Sequence, residues 1–328
     1  MAINTKAIKN RIKSVGNTKK ITKAMEMVSA AKMRKSVEAA LNTRAYAVMA
    51  REIMRHLAKV EKKPRYGLLV ERPVKNLLVI LISSNRGLCG SFNANIARKT
   101  NLALKDIQNL AKHYTESGKN ILPEKDINIH ILGIGKKSAD FARRNDYNLV
   151  AMYDNLSEAK SFTEIIPISR MFIEEYKKGK YDKVVVAYTD YKTSLTQEPK
   201  LHQLLPVSAL EIEEMISDLA RNVDSKQAEL KEEIAAGGDR FSLGNYVFEP
   251  NEEEIIEYVL PRLVEVQLFQ AVLESGASEH SARMLAMRSA SDAALDMIKE
   301  LSLTFNKARQ AAITQEIAEI AGGAAALE

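Results

Sequence analysis

Stepping alternately by four and three residues, the C-terminal segment reads Val259, Leu263, Val266, Gln270, Leu273, Ala277, His280, Met284, Met287, Ser291, Ala294, Ile298, Leu301, Phe305, Ala308, Ala312, Gln315. Thirteen of these 17 positions are apolar. A period of 3.5 residues held over about eight heptads predicts a left-handed coiled coil and not a compact bundle helix. Asn251 followed by Glu254 has the form of a capping box, and Gly322-Gly323 supplies a stop. The helix predicted over residues 251 to 321 is on the order of 105 Å long, with a local kink expected at Pro261.

The other end of the chain offers a partner. From Ile3 to Lys59, Gly16 is the lone glycine, proline is absent, and Ala, Lys, Met and Glu dominate, which predicts one continuous helix. Its 57 residues reach about 85 Å. The apolar stripe is broken: Ile8, Ile12 and Val15, then Ile21, Met25 and Val28, then a weaker set at Val37, Leu41 and Val48.

Between the two helices the periodicity changes. Leu77 to Ile82 is a continuous apolar run suited to a strand buried on both faces, and Ile127 to Gly133 and Lys183 to Thr189 are further strand candidates. Helical stretches fall at Asn93 to His113, Lys136 to Arg144 and Thr163 to Lys178. The alternation predicts a small Rossmann-like α/β domain with a mainly parallel sheet. Residues 207 to 245 are helix-forming and acidic, with nine acids against four bases. The expected organisation is an N-terminal shaft helix over 1–65, an α/β domain over 66–206, an acidic helical insertion over 207–245 and a C-terminal shaft helix over 246–328. Nothing between the termini is long enough to cover 85 Å of helix, so the two ends are expected to form a long antiparallel coiled coil.

Charge agrees with that pairing. Residues 1 to 65 carry 17 Lys and Arg against four acids, whereas residues 251 to 328 carry 13 acids against six bases. An acidic helix within the same chain weakens the case for nucleic acid as the partner of the basic one, and stacking aromatics are missing there. The longest apolar run has six residues, far short of a membrane span, so a soluble or peripheral protein is expected. Met1-Ala2-Ile3 leads directly into the Lys-rich helix, which is read as no cleaved signal. A single cysteine excludes a disulfide scaffold and a Cys-based zinc cluster, and suggests a reducing compartment.

Catalytic chemistry is poorly represented. The loop Ser84-Asn85-Arg86-Gly87-Leu88-Cys89-Gly90-Ser91 lies between a strand and a helix, where a phosphate could rest on backbone N–H groups, but it lacks the P-loop spacing and its Lys-Ser/Thr. The competing reading is a structural turn that docks the shaft on the sheet. Gly133-Ile134-Gly135-Lys136 is weaker than a dinucleotide fingerprint. Cys89 has no assignable base, and the five histidines show no ligand pairing at helical spacing. His280 lies on the heptad seam, where packing is the default, and the methionines Met25, Met27, Met33, Met284 and Met287 suit adaptable packing.

Five runs resemble the gamma subunit of F-type ATP synthases, bacterial type. They are Ile12-Lys13-Ser14-Val15-Gly16-Asn17-Thr18-Lys19-Lys20-Ile21-Thr22-Lys23-Ala24-Met25-Glu26-Met27-Val28, continuing to Ala31-Lys32-Met33-Arg34; Arg86-Gly87-Leu88-Cys89-Gly90; Phe248-Glu249-Pro250; Ser278-Glu279-His280-Ser281-Ala282-Arg283-Met284; and Asn306-Lys307-Ala308-Arg309-Gln310-Ala311-Ala312-Ile313-Thr314-Gln315-Glu316. They occur in order along both helices and the middle, and residues 207 to 245 are the main departure.

The resemblance implies the central rotor shaft of the enzyme, a non-catalytic subunit without cofactor or metal. One copy would stand inside a ring of three alpha and three beta subunits and transmit torque to or from a membrane c-ring during ATP synthesis or hydrolysis coupled to proton or sodium transport. It implies a beta-subunit catch contact at Arg309, Gln310 and Thr314, opposing N-terminal contacts at Lys20 and Met25, and a membrane-ring foot at Tyr246 and Glu249. It further implies docking of epsilon on the α/β domain and a peripheral location on the cytoplasmic face of the bacterial inner membrane. Two other classes remain open from the residues alone, an independent coiled-coil scaffold for an acidic partner and a Rossmann-like enzyme with helical appendages.

Overall fold

The computed structural model describes residues 5–57, 67–114, 120–158, 161–207 and 252–325. Two long helices bracket a sheet domain. Helix α1 spans Thr5–Leu57, 53 residues or about 80 Å, as the breaker-free basic segment predicts. The sheet domain follows as β1 (Asn76–Ile82), α2 (Phe92–Lys105), α3 (Ile107–Leu110), β2 (His113–Tyr114), β3 (Asn120–Ile121), β4 (Asn128–Ile134), α4 (Lys136–Arg144), β5 (Asn148–Tyr153), α5 (Ile166–Lys177), β6 (Lys183–Tyr191) and β7 (Gln197–Leu205). Helix α6 then runs over Glu252–Ala325, 74 residues or about 111 Å.

The main sheet has the order β5-β4-β1-β6-β7, parallel except for the antiparallel edge strand β7, and β2 and β3 form a separate pair. The continuous apolar run at 77–82 becomes the central strand, and its alternation divides the core. Leu78, Ile80 and Ile82 face α5 and α6, joining Phe172, Tyr176, Leu263, Leu268 and Val272. Leu77, Val79 and Leu81 face α2 and α4, joining Ile96, Leu104, Phe141 and Ala142. Each of these strand residues is essentially fully buried, contributing about 1.5–3 kcal/mol apiece.

Helix α6 is embedded before it becomes a shaft. From Leu260 to Arg283 nearly every residue is buried, with the sheet and α5 on one side and α1 on another. A helix that is covered all round lies at the centre of a core. Beyond Met287 the covering narrows to a seam, with Ser291, Ala294 and Ala308 buried and Ile298, Leu301 and Phe305 half-buried.

Several sequence expectations change. The helix predicted over Asn93 to His113 ends at Lys105, because Asp106 leaves helical geometry at φ −101° and ψ 51°, and the remainder forms α3 and β2. Strands β5 and β7 were not among the candidates: β5 is a short edge strand, and β7 carries Pro199 with polar residues, which only an edge tolerates. Helix α6 is continuous through Pro261, the residue at which a local kink is expected, with the freed carbonyl falling at the exposed Glu257. Gly322-Gly323, expected to stop the helix, does not. The helix continues to Ala325 at a cost of about 1 kcal/mol per glycine, in an Ala-rich stretch. Asn251 of the capping box and the acidic segment from residue 208 onward, with Tyr246 and Glu249, lie outside the described residues.

Candidate functional site: the shaft and its joint to the sheet domain

Two cross-links set the direction and register of the shaft. Thr22 Oγ1 and Ser291 Oγ are 2.7 Å apart. Met33 Sδ accepts hydrogen bonds from Ser194 Oγ and Tyr191 Oη at 3.9 Å, while Ser281 Oγ donates to Ser194 O at 2.7 Å, which places Met33 near Ser281. Rising numbers on α1 therefore meet falling numbers on α6, and the helices run antiparallel.

The face of α1 that meets α6 keeps Ile8, Ile12 and Val15 of the expected stripe and departs from it beyond Val15. Ile8, Ile12, Val15, Lys19, Thr22, Glu26, Ser29, Met33, Ser36 and Ala40 are all buried or half-buried, and they step alternately by four and three. Ile21 and Val28, assigned to the stripe on hydrophobicity, instead point outward at 61% and 58% exposed. From Lys19 to Ser36 every seam residue but Met33 is polar, so the 3.5-residue period there is hidden from a count of apolar residues.

Counting 17 residues back from Thr22 and 17 forward from Ser291 brings Thr5, the first described residue, opposite Ala308. From there α6 has no partner among the described residues, and 309–323 are exposed throughout. The projecting tip is about 26 Å long. Ala312 and Gln315 continue the heptad in sequence but are exposed, and Gln315 Nε2 donates to Glu319 Oε1 at 2.9 Å. Arg309, Gln310 and Thr314 all stand on this tip, with Thr314 Oγ1 donating to Gln310 O at 2.9 Å. Lys20 is exposed and Met25 half-buried beside the α1 seam, well below the tip. The structure thus brings Arg309, Gln310 and Thr314 together and leaves Lys20 and Met25 apart from them.

The helix start at Gly133-Ile134-Gly135-Lys136 is filled by the chain itself, in part by residues of the loop over 84–91. At the start of α4, Lys136 N donates to Asn85 Oδ1 at 3.0 Å, Lys137 N to Ser84 O at 3.1 Å and Ser138 N to Gly135 O at 3.2 Å. The N–H groups an anion would need are already used. Gly135, at φ +88°, lies so close to Ser83 that an added Cβ would be 2.1 Å from Ser83 O. Cys89 is buried, and its sulfur accepts a hydrogen bond from Asn93 Nδ2 at 3.1 Å, an arrangement that braces the turn. Among the described residues no group of His, Cys, Asp and Glu is arranged to hold a metal ion, and no helix is long and apolar enough to cross a membrane.

The loop does dock the shaft. Arg283 Nη2 donates to Arg86 O at 3.4 Å and Gly87 O at 3.5 Å, and it pairs with Glu279 Oε1 at 2.6 Å. Gly90, at φ +57°, lies against α6 with room for a Cβ only 3.8 Å from Ala282 O. On the other side of α6, Ser278 Oγ donates to Thr189 O at 3.1 Å and Ser281 Oγ to Ser194 O. The docking turn is legible in the sequence, but the roles of Ser278, Ser281 and Arg283 on α6 are not. Their signal was a dense polar run, Ser278 to Arg283, inside an otherwise apolar heptad segment.

A shaft of two antiparallel helices, gripped at one end by a parallel-sheet domain and bare at the other, defines a stalk protein. The family model described as ATP synthase matches residues 4–327. An ATP synthase gamma chain of Legionella pneumophila (strain Corby) is 36% identical over 322 residues, covering 98% of this chain and 99% of that one. The gamma chain of Roseiflexus castenholzii is 40% identical over 326 residues, covering 99% and 98%. The chain belongs to the ATP synthase gamma-chain family, a non-catalytic subunit of that enzyme. Its fold is shared by a chain of the Euglena gracilis mitochondrial ATP synthase OSCP/F1/c-ring structure in rotational state 3, at TM-score 0.59 and 18% identity, covering 98% of this chain and 94% of that one. It is also shared by a chain of the Tetrahymena thermophila mitochondrial ATP synthase central stalk/c-ring structure, at TM-score 0.54 and 23% identity, covering 83% and 99%.

Proposed function

We propose that this chain is the central rotor shaft of an F-type ATP synthase, transmitting torque between a membrane ion-driven ring and a catalytic ring of three alpha and three beta subunits. The observation that carries the reading is the bare end of α6. It outruns α1 and exposes Ile313, Ile317 and Ile320 at 48%, 62% and 74%. An apolar row on a projecting helix suits enclosure by a sleeve. The outward Ile21, Met27 and Val28 of α1 suit the same surroundings lower down.

In this reading the helices form an antiparallel coiled coil, whose interlocked seam resists bending and twist, and the sheet domain is Rossmann-like. Arg309, Gln310 and Thr314 meet the beta subunit's catch loop, Lys20 and Met25 make the lower contacts, and Tyr246 and Glu249 form the foot on the membrane ring. The sheet domain docks epsilon, one copy serves each complex, and the assembly sits peripherally on the cytoplasmic face of the inner membrane. The coupled ion is a proton or sodium.

Reassembly with alpha and beta subunits tests this. The expected result is a complex of three alpha, three beta and one copy of this chain, in which ATP drives rotation of a bead fixed to the sheet domain. A chain that stays apart from alpha and beta, or a complex whose hydrolysis proceeds with the bead still, would overturn it.

A further inference from the structure

The first part of α6 is held to the domain by apolar packing, from Leu260 to Leu273. The hydrophobic effect that drives such packing is non-directional. The next two turns are different. Ser278, Glu279, His280, Ser281 and Arg283 are all buried, although α6 is about to leave the domain at this level. At 100° per residue, Ser281 and Arg283 lie about 200° apart and so project from opposite sides of α6. Each is bonded to backbone carbonyls of the domain: Ser281 to Ser194 O in the β6–β7 turn, and Arg283 to Arg86 O and Gly87 O in the loop after β1. The same turn reaches α1 through Ser194 Oγ and Tyr191 Oη, both donating to Met33 Sδ.

We propose that Arg283, oriented by Glu279 and opposed by Ser281, is the key that fixes the rotational register of the sheet domain on the two-helix shaft. Directional bonds on opposite sides of one helix add to the resistance that packing offers to its rotation, because each is lost when donor and acceptor turn out of line. A guanidinium suits the position because one nitrogen, Nη2, reaches both carbonyls and the Glu279 carboxylate while the second, Nη1, meets His280 Nδ1 at 3.3 Å, which holds the planar group in one orientation. Arg283 is a positioning residue: it touches no nucleotide and acts by keeping shaft and domain turning together. The inference rests on the rotor reading above.

The test uses the complex reassembled with alpha and beta subunits, with a bead fixed to the sheet domain through Lys99→Cys on the exposed face of α2. Rotation is recorded unloaded and under high viscous load for the parent, Arg283→Lys, Arg283→Ala and Ser281→Ala. Unloaded hydrolysis is expected to match the parent in all of them. Under load, backward slips should become about ten- to a hundredfold more frequent in Arg283→Ala, the range set by losing a hydrogen bond from a charged donor. Arg283→Lys keeps a charge for Glu279 but loses the planar group and the second nitrogen that meets His280, so it should slip at an intermediate rate. Slipping at the parent rate in both Arg283 variants would overturn the proposal and leave the joint to apolar packing. Failure of both to assemble would overturn it in favour of a folding role. A parent complex that does not rotate would instead sink the rotor reading.

Discussion

Thr22 Oγ1 and Ser291 Oγ lie 2.7 Å apart across the interface of α1 and α6, although 269 residues separate them in sequence. Both are buried on the seam, and Thr22 Oγ1 also bonds Lys19 O at 3.0 Å. Ser291→Ala removes the cross-helix bond but leaves Thr22 its backbone acceptor, so a loss of about 1 kcal/mol in unfolding free energy is expected. Thr22→Val with Ser291→Ala should cost less than the two single substitutions together, because the pair is then apolar on both sides. Denaturant unfolding of the four proteins measures this, and strict additivity would show that the hydroxyls do not interact.

Gly135 supplies a second test. Its left-handed φ of +88° and the 2.1 Å approach to Ser83 O leave no place for a methyl group. Gly135→Ala must move backbone at the junction of β1, β4 and α4, and a loss above about 3 kcal/mol is expected in thermal or denaturant unfolding. A near-neutral substitution would mean that this junction is far more pliable than its close contacts imply.

Alkaline pH should act through Tyr176. Burial pushes its phenol up from the ordinary value near 10, and its hydroxyl donates to Val70 O at 2.9 Å. Because the folded state holds the proton after the unfolded chain releases it, stability falls as pH rises past about 10. Tyr176→Phe loses the hydrogen bond, about 1 kcal/mol near neutrality, but has no phenol to ionise. The gap between the two proteins should therefore narrow between about pH 9 and 11. Parallel stability curves across that range would show that Tyr176 does not set the alkaline limb.

At the tip, Gln310 and Thr314 share a face, joined by the bond from Thr314 Oγ1 to Gln310 O, while Arg309 stands beside Gln310. All three are exposed, so their substitution costs the isolated chain little. Arg309→Ala and Gln310→Ala are expected to lower ATP-driven turnover of the reassembled complex several-fold, with assembly retained. Equal losses of assembly and turnover would assign these residues to packing, and unchanged turnover in the double variant would remove the catch contact from the mechanism.

The sequence determined the elements whose physics is local or strongly periodic. A breaker-free run of helix formers gave α1, a 3.5-residue apolar period gave the seam of α6 as far as Ala308, and the six apolar residues at 77–82 made the central strand, because each pattern states its own burial. The edge strand β7 is largely polar and has no such period, and the short apolar β5 is half-buried at best; both exist because a neighbouring strand offers its unpaired backbone. The same holds for the face of α1. Thr22 and Ser29 are buried while Ile21 and Val28 are exposed, which contradicts hydrophobicity and follows from the position of α6. Small polar side chains let the two helices approach and can bond one another. The grip of Arg283 on Arg86 O and Gly87 O likewise joins segments nearly 200 residues apart, 197 and 196 in sequence, so only the tertiary structure decided it. A side chain's partner across such a distance is set by how the whole chain packs and leaves no period in the residues around it.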